Sequence, residues 1–141
     1  MFSVPEIGWV NVTVGSYTDR ASYLTDVPTN CLDSAINALK NNLDFCVYFD
    51  AEGWDYRIIG TRTQAIIILN DEEIRTTDGA NKFTIAQEIF NDISEHVEEW
   101  ARWYYFEEID PVSVLENNRN EINQKLSILK ALLDEENAKK N

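Results

Sequence analysis

Two places in the sequence hold side chains of the kind that catalysis uses. One is His96, the only histidine. It could serve as a general base or a metal ligand, but no His or Cys stands three or four residues away, where a helix would bring a second ligand onto the same face. No strand–turn–Ser elbow presents a nucleophile to it either. His96 reads as a border residue with its ring half packed. The other place is FDAEGWDY, residues 49 to 56, where Asp50, Glu52 and Asp55 cluster around a turn. A carboxylate pair can hydrolyse a bond, and several carboxylates can hold a cation. This loop lacks the alternating ligands and closing Glu of a calcium site, and turn chemistry already accounts for Asp50 and Gly53. None of the five glycines builds a phosphate-cradling loop. The residues therefore favour a protein that is not an enzyme and needs no metal or cofactor. A small hydrolase using Asp50 and Glu52 stands as an alternative.

The densest chemistry suits binding. HVEEWARWYYFEEID, residues 96 to 110, sets Trp100, Trp103, Tyr104, Tyr105 and Phe106 among acids. Wound at about 100° per residue, a helix from Thr84 to about Ile109 gathers Ile89, Ile93, Val97, Trp100 and Tyr104 into a core stripe. Glu88, Asp92, Glu95 and Glu99 fall nearly opposite. Residues 84 to 110 hold eight carboxylates against Arg102 alone, which is −7 of the chain's net −13. A face serving solubility alone would interleave both signs. A ridge of one sign suits a partner rich in Lys and Arg. Trp103, at the border between the core and acidic faces, is the expected aromatic anchor, while Tyr105 and Phe106 point away from the stripe. The acidic hairpin, with Asp50, Glu52 and Asp55, is the second candidate surface.

The totals agree with this. A pI near 4.3 and twelve scattered basic residues disfavour nucleic acid and anionic membrane and favour a basic protein. The same ridge could also imitate a nucleic-acid backbone and inhibit or regulate a DNA-binding protein. Cys31 and Cys46, the only cysteines, do not make a disulfide scaffold and suggest a reducing compartment. The N-terminus lacks the basic start and apolar run of a signal peptide. The longest apolar run, Ala65 to Leu69, is far short of a membrane span. These features point to the cytoplasm.

At 141 residues the chain reads as one domain. Residues Ile7 to Val14 alternate as a half-buried strand. A long loop from Ser16 ends at Val27-Pro28, and Thr29 or Asn30 can cap a helix with the stripe Leu32, Ala35, Ile36, Leu39 and Leu43. Strands follow at Asp44 to Asp50, Trp54 to Ile59, Gln64 to Leu69 and, at the sheet edge, Glu72 to Thr76. QAIIIL is apolar on both faces, which marks a central strand. Thr84 with Gln87 has capping-box spacing for the acidic helix. Asp110-Pro111 starts a last helix with Leu115, Ile122, Leu126, Leu129 and Leu133, its tail frayed from about Asp134. The predicted fold class is α+β: an antiparallel sheet of about four strands, one connecting helix and a C-terminal antiparallel helix pair.

The run TDVPTNCLDSAINALKN, then FCVYFDAEGWDYRIIG and TQAIIIL, resembles small bacterial immunity proteins of polymorphic toxin systems, and among them those of contact-dependent growth inhibition. The resemblance spans residues 1 to 110 as a pattern of elements and carries over no individual site residue. It implies that the chain binds one cognate toxin domain, often a nuclease, and neutralises it in the cytosol of the producing cell.

Overall fold

The computed structural model describes residues 1–6, 8–103 and 111–140. The fold is α+β. Strands β1 (Trp9–Val14) and β2 (Tyr17–Ser22) form an antiparallel ribbon, and α1 (Val27–Lys40) leads into a second sheet. That sheet is a meander of β3 (Phe45–Asp50), β4 (Asp55–Gly60), β5 (Ala65–Leu69) and β6 (Glu73–Thr77), in the order β3-β4-β5-β6. Helices α2 (Lys82–Glu95), α3 (Val97–Ala101) and α4 (Pro111–Ala138) complete the described residues. Among these residues no helix is long and apolar enough to cross a membrane.

The second strand was not expected, because TDRAS carries no apolar alternation. It forms because Val14-Gly15-Ser16-Tyr17 closes a tight hairpin, with Gly15 at φ +58. A Cβ at Gly15 would lie 2.1 Å from Thr77 Oγ1. Glycine thus lets the turn dock on β6, where Thr77 Oγ1 accepts from Ser16 N–H and donates to Val14 O. Val10, Val12 and Val14 turn inward, as their alternation requires.

Helix α1 begins three residues earlier than a cap at Thr29 would allow. Asp26 is its cap, accepting from Thr29 N–H at 3.1 Å, and Pro28 occupies the first turn, where a missing N–H is harmless. Leu43 lies beyond the helix and is exposed, because the helix stops at Lys40 and Asn42 takes φ 53. Lys82 closes this end. Its buried Nζ donates to Ala38 O, Leu43 O and Asn42 Oδ1 at 2.9 to 3.3 Å, satisfying carbonyls the helix cannot pair. Burial, helped by nearby Arg62, lowers the Lys82 pKa.

The inner face of the large sheet is covered. Phe45, Val47, Phe49, Tyr56, Ile58 and Ile67 are buried with α1, α2 and the ribbon against them. At Gly60, on this face, a Cβ would stand 2.9 Å from Ile85 Cδ1 and 3.1 Å from Lys82 Cα, so glycine sets how closely α2 approaches. Tyr56 OH donates to Arg20 O across the same layer, and its ring stacks on Phe49 at 5.2 Å.

The acidic helix is not continuous. The capping box is Asn81 with Thr84, not Thr84 with Gln87: Asn81 Oδ1 accepts from Thr84 N–H while Thr84 Oγ1 accepts from Asn81 N–H. At His96 the backbone leaves the helical region, φ −135 and ψ 42, ending α2 and starting α3. The expected extension to Ile109, with Tyr104, Tyr105 and Phe106, lies outside the described residues. Helix α4 runs antiparallel to α2 and α3: Asn118 Nδ2 donates to Ala101 O near one end, and Lys140 lies over the Phe83 ring near the other. Arg119 grips Glu98 with two N–H groups, and Lys125 reaches Asp33 of α1. The helix runs to Ala138, with Lys130–Asp134 and Lys139–Glu136 pairs along its last turns.

Candidate protein-binding surface

The expected ridge is divided by the break at His96. Glu88 and Glu95 are exposed on α2, and Glu99 is exposed on the separate turn of α3, where it faces His96 Nδ1 at 3.8 Å. Asp92 is already engaged: its carboxylate accepts from Phe2 N–H at 2.8 Å and from the Met1 amino group at 2.7 Å. Its role in the fold is to anchor the first residues beside β1. The ridge keeps its charge and loses its straight line.

Trp103 is not a surface anchor. It is 1% exposed, its ring centroid is 5.4 Å from that of Trp100, and its Nε1 donates to Thr25 O at 3.0 Å. The helix projection placed it at a border because it assumed one straight helix; the chain turns at Ala101–Trp103 and carries the indole inward.

The acidic hairpin gains neighbours that the sequence did not announce. Asp50 and Asp55 face each other in register at the end of β3 and β4. Asp50 Oδ1 accepts Glu52 N–H at 2.7 Å, fixing a turn in which Glu52 takes φ 56 and Gly53 φ 143. Asp55 N–H donates to Asn70 Oδ1, and Asn70 N–H donates to Asp55 O, which brings the β5–β6 turn alongside. Asp71 and Glu72 therefore join Asp50, Glu52 and Asp55 at one end of the sheet. Among the described residues Arg57 pairs with one of them, 3.7 Å from Asp71 across exposed side chains, while Arg75 pairs with the adjacent Glu73. Among the described residues no group of His, Cys, Asp and Glu is arranged to hold a metal.

This end borders an apolar surface. Cross-strand register places Cys46, Tyr48, Arg57, Ile59, Ile66, Ile68, Ile74 and Thr76 on the outer face of the sheet. Cys46 is exposed, Tyr48 is 38% exposed and Ile74 is 68% exposed; Ile59, Ile66 and Ile68 are half-buried. The described helices pack on the other face. Tyr48 joins the patch to the acids: desolvation and then the carboxylates of Asp55, Asp50 and Asp71 raise its phenol pKa. A largely apolar face that carries one cation, Arg57 over the Tyr48 ring, and is bordered by carboxylates has a composition that suits a protein interface, with aromatic and aliphatic anchors beside a polar rim.

Sequence reasoning found the acidic hairpin and missed this face. The signal is present in QAIIIL: its apolar character on both faces marks the central strand that β5 is, between β4 and β6, but does not tell what meets the outer face. No protein family, curated relative or solved structure matches the chain.

Proposed function

We propose that this chain is an immunity-type inhibitor that binds a basic toxin domain, a nuclease being the favoured class, in the cytoplasm of the cell that makes both. The observation that carries the reading is the open outer face of the four-stranded sheet, bordered at one end by Asp50, Glu52, Asp55, Asp71 and Glu72. Its isoleucines supply apolar area: a fully exposed Ile is worth about 1.5–3 kcal/mol when withdrawn from water, so the largely exposed Ile74 contributes most of that and the half-buried Ile59, Ile66 and Ile68 a fraction each. The carboxylates, within a net charge of −13, draw a basic partner into register and speed its approach. Glu88, Glu95 and Glu99 add to that long-range field without forming the contact. Mimicry of a nucleic-acid backbone by the acidic helix loses its support where His96 breaks the line of charge.

The test is co-expression with the toxin domain encoded beside this chain. The wild-type protein should restore growth, and an Ile66→Asp/Ile68→Asp variant that folds normally should not. A domain that stays lethal beside abundant wild-type protein overturns the proposal.

A further inference from the structure

A second surface stands apart from the sheet face, on the outer side of the β1–β2 ribbon. Arg20 lies across from Asn11 in register, and the diagonal neighbour on the same face is Trp9. The guanidinium carbon is 4.9 Å from the centroid of the Trp9 ring and 4.7 Å from that of Trp54. Two indoles thus hold one cation, and Trp54 is itself held. Trp54 Nε1 donates to both Asp19 oxygens at 3.0 Å, Tyr17 OH donates to Asp19 Oδ2 at 2.6 Å, and Arg20 N–H donates to Asp19 Oδ1 at 2.8 Å. Tyr56 OH fixes the Arg20 carbonyl from below. Asp19 is therefore occupied by neutral donors and is not paired with the guanidinium.

In a chain with 25 acidic residues, Arg20 forms no ion pair with any described residue. Stacking fixes a guanidinium's position while leaving the N–H groups of its edge available, which is the arrangement that suits bidentate capture of a carboxylate. The groove beside it has a volume of about 570 Å³ and is lined by Ser3, Val4, Glu6, Trp9, Asn11 and Arg20. That size belongs to small-molecule sites. Glu6 is exposed there and, like Arg20, has no ion-pair partner among the described residues. A simple anion would meet Arg20 and be repelled by Glu6. A ligand with a carboxylate and a cationic group satisfies both.

We infer that the groove lined by Trp9, Arg20 and Glu6, with Trp54 stacked on Arg20, binds a small dipolar ligand of the amino-acid or short-peptide class, with its carboxylate on Arg20 and its cationic group toward Glu6. The groove itself is lined by the first residues and the β1–β2 ribbon, with only Trp54 coming from the β3–β4 turn, and the inference does not depend on the toxin-binding reading.

NMR titration of the whole protein tests this through the Arg20 Nε–H and the Trp9 and Trp54 indole N–H signals. The probes are arginine, glycyl-arginine, argininamide (no carboxylate) and acetate (no cation). Arginine or glycyl-arginine should move all three signals to saturation, the tighter of the two showing whether a free amino acid or a peptide end fits. Argininamide and acetate should bind at least about tenfold more weakly. Arg20→Lys keeps the charge and loses the planar fork, so it should abolish saturation. Glu6→Gln should raise acetate affinity and erase the preference for dipolar probes. The proposal is overturned if no probe saturates, if Arg20→Lys binds as the wild type does, or if Glu6→Gln leaves the preference unchanged.

Discussion

Ile66, Ile67 and Ile68 are three identical residues in a row, and the sheet treats them differently. Ile67 points inward and is fully buried with Ile58 and Phe49; Ile66 and Ile68 point outward and are only half-buried. The two faces of β5 are alike in side chain and unlike in cover. Alternation decides which way a strand residue points, whereas the layering of other elements decides whether anything meets it. An apolar face left open is unfavourable in isolation, and a binding partner removes that cost. The inner face makes the fold, and the outer face is the part we propose a partner covers.

The largest effects belong to residues on the inside. Trp103→Ala should destabilise the protein by about 3–5 kcal/mol, read as a fall in the thermal midpoint. That loss of stability distinguishes a core residue from the partner anchor its position in the sequence suggested. Ile67→Ala should cost about 2–5 kcal/mol, while Ile68→Ala, one residue away, should cost less than about 1 kcal/mol. Equal losses in chemical denaturation would break the comparison between the faces. Lys82→Met keeps the stem and removes three donated hydrogen bonds, leaving Ala38 O and Leu43 O unpaired, for about 1–3 kcal/mol.

A smaller effect appears in alkali. Burial first, with Asp19 adding to it, raises the phenol pKa values of Tyr17 and Tyr56 above the ordinary value of 10.0. A group whose folded pKa is raised contributes stability that is complete below the unfolded pKa and is lost as pH rises beyond it. Lys82, with its pKa lowered from 10.5, acts in the opposite sense, but it is one group against these two phenols, the buried Cys31 thiol and the Tyr48 phenol, all raised. Stability should therefore fall above about pH 10. A tyrosinate absorbance titration should show these two phenols ionising only as the protein unfolds.

Much of this architecture was legible in the residues. The meander from Phe45 to Thr77 follows from alternation and turn chemistry, and the edge position of β6 agrees with its charged, short sequence. Strand β2 was hidden, because its order comes from Gly15, Thr77, Asp19 and Trp54, partners up to 61 positions away in sequence. The break at His96 was also hidden: the 3.6-residue period continues through it, and a helical projection cannot see a change of axis. The acids of the hairpin were visible one at a time. Their union with Asp71 and Glu72 depends on Asn70 bridging two turns, which only the sheet brings together.

The central claim is that the outer sheet face, rather than the acidic helix, makes the contact with the partner. Calorimetric affinity for the cognate toxin domain separates the two surfaces. One variant is Ile66→Asp/Ile68→Asp. The other is Glu88→Gln/Glu95→Gln/Glu99→Gln, which spares Asp92 because it anchors Phe2. The sheet variant should bind at least about 100-fold more weakly at unchanged stability, and the helix variant within about tenfold of the wild type with a shallower salt dependence. Full affinity in the sheet variant, with binding lost in the helix variant, would contradict the account.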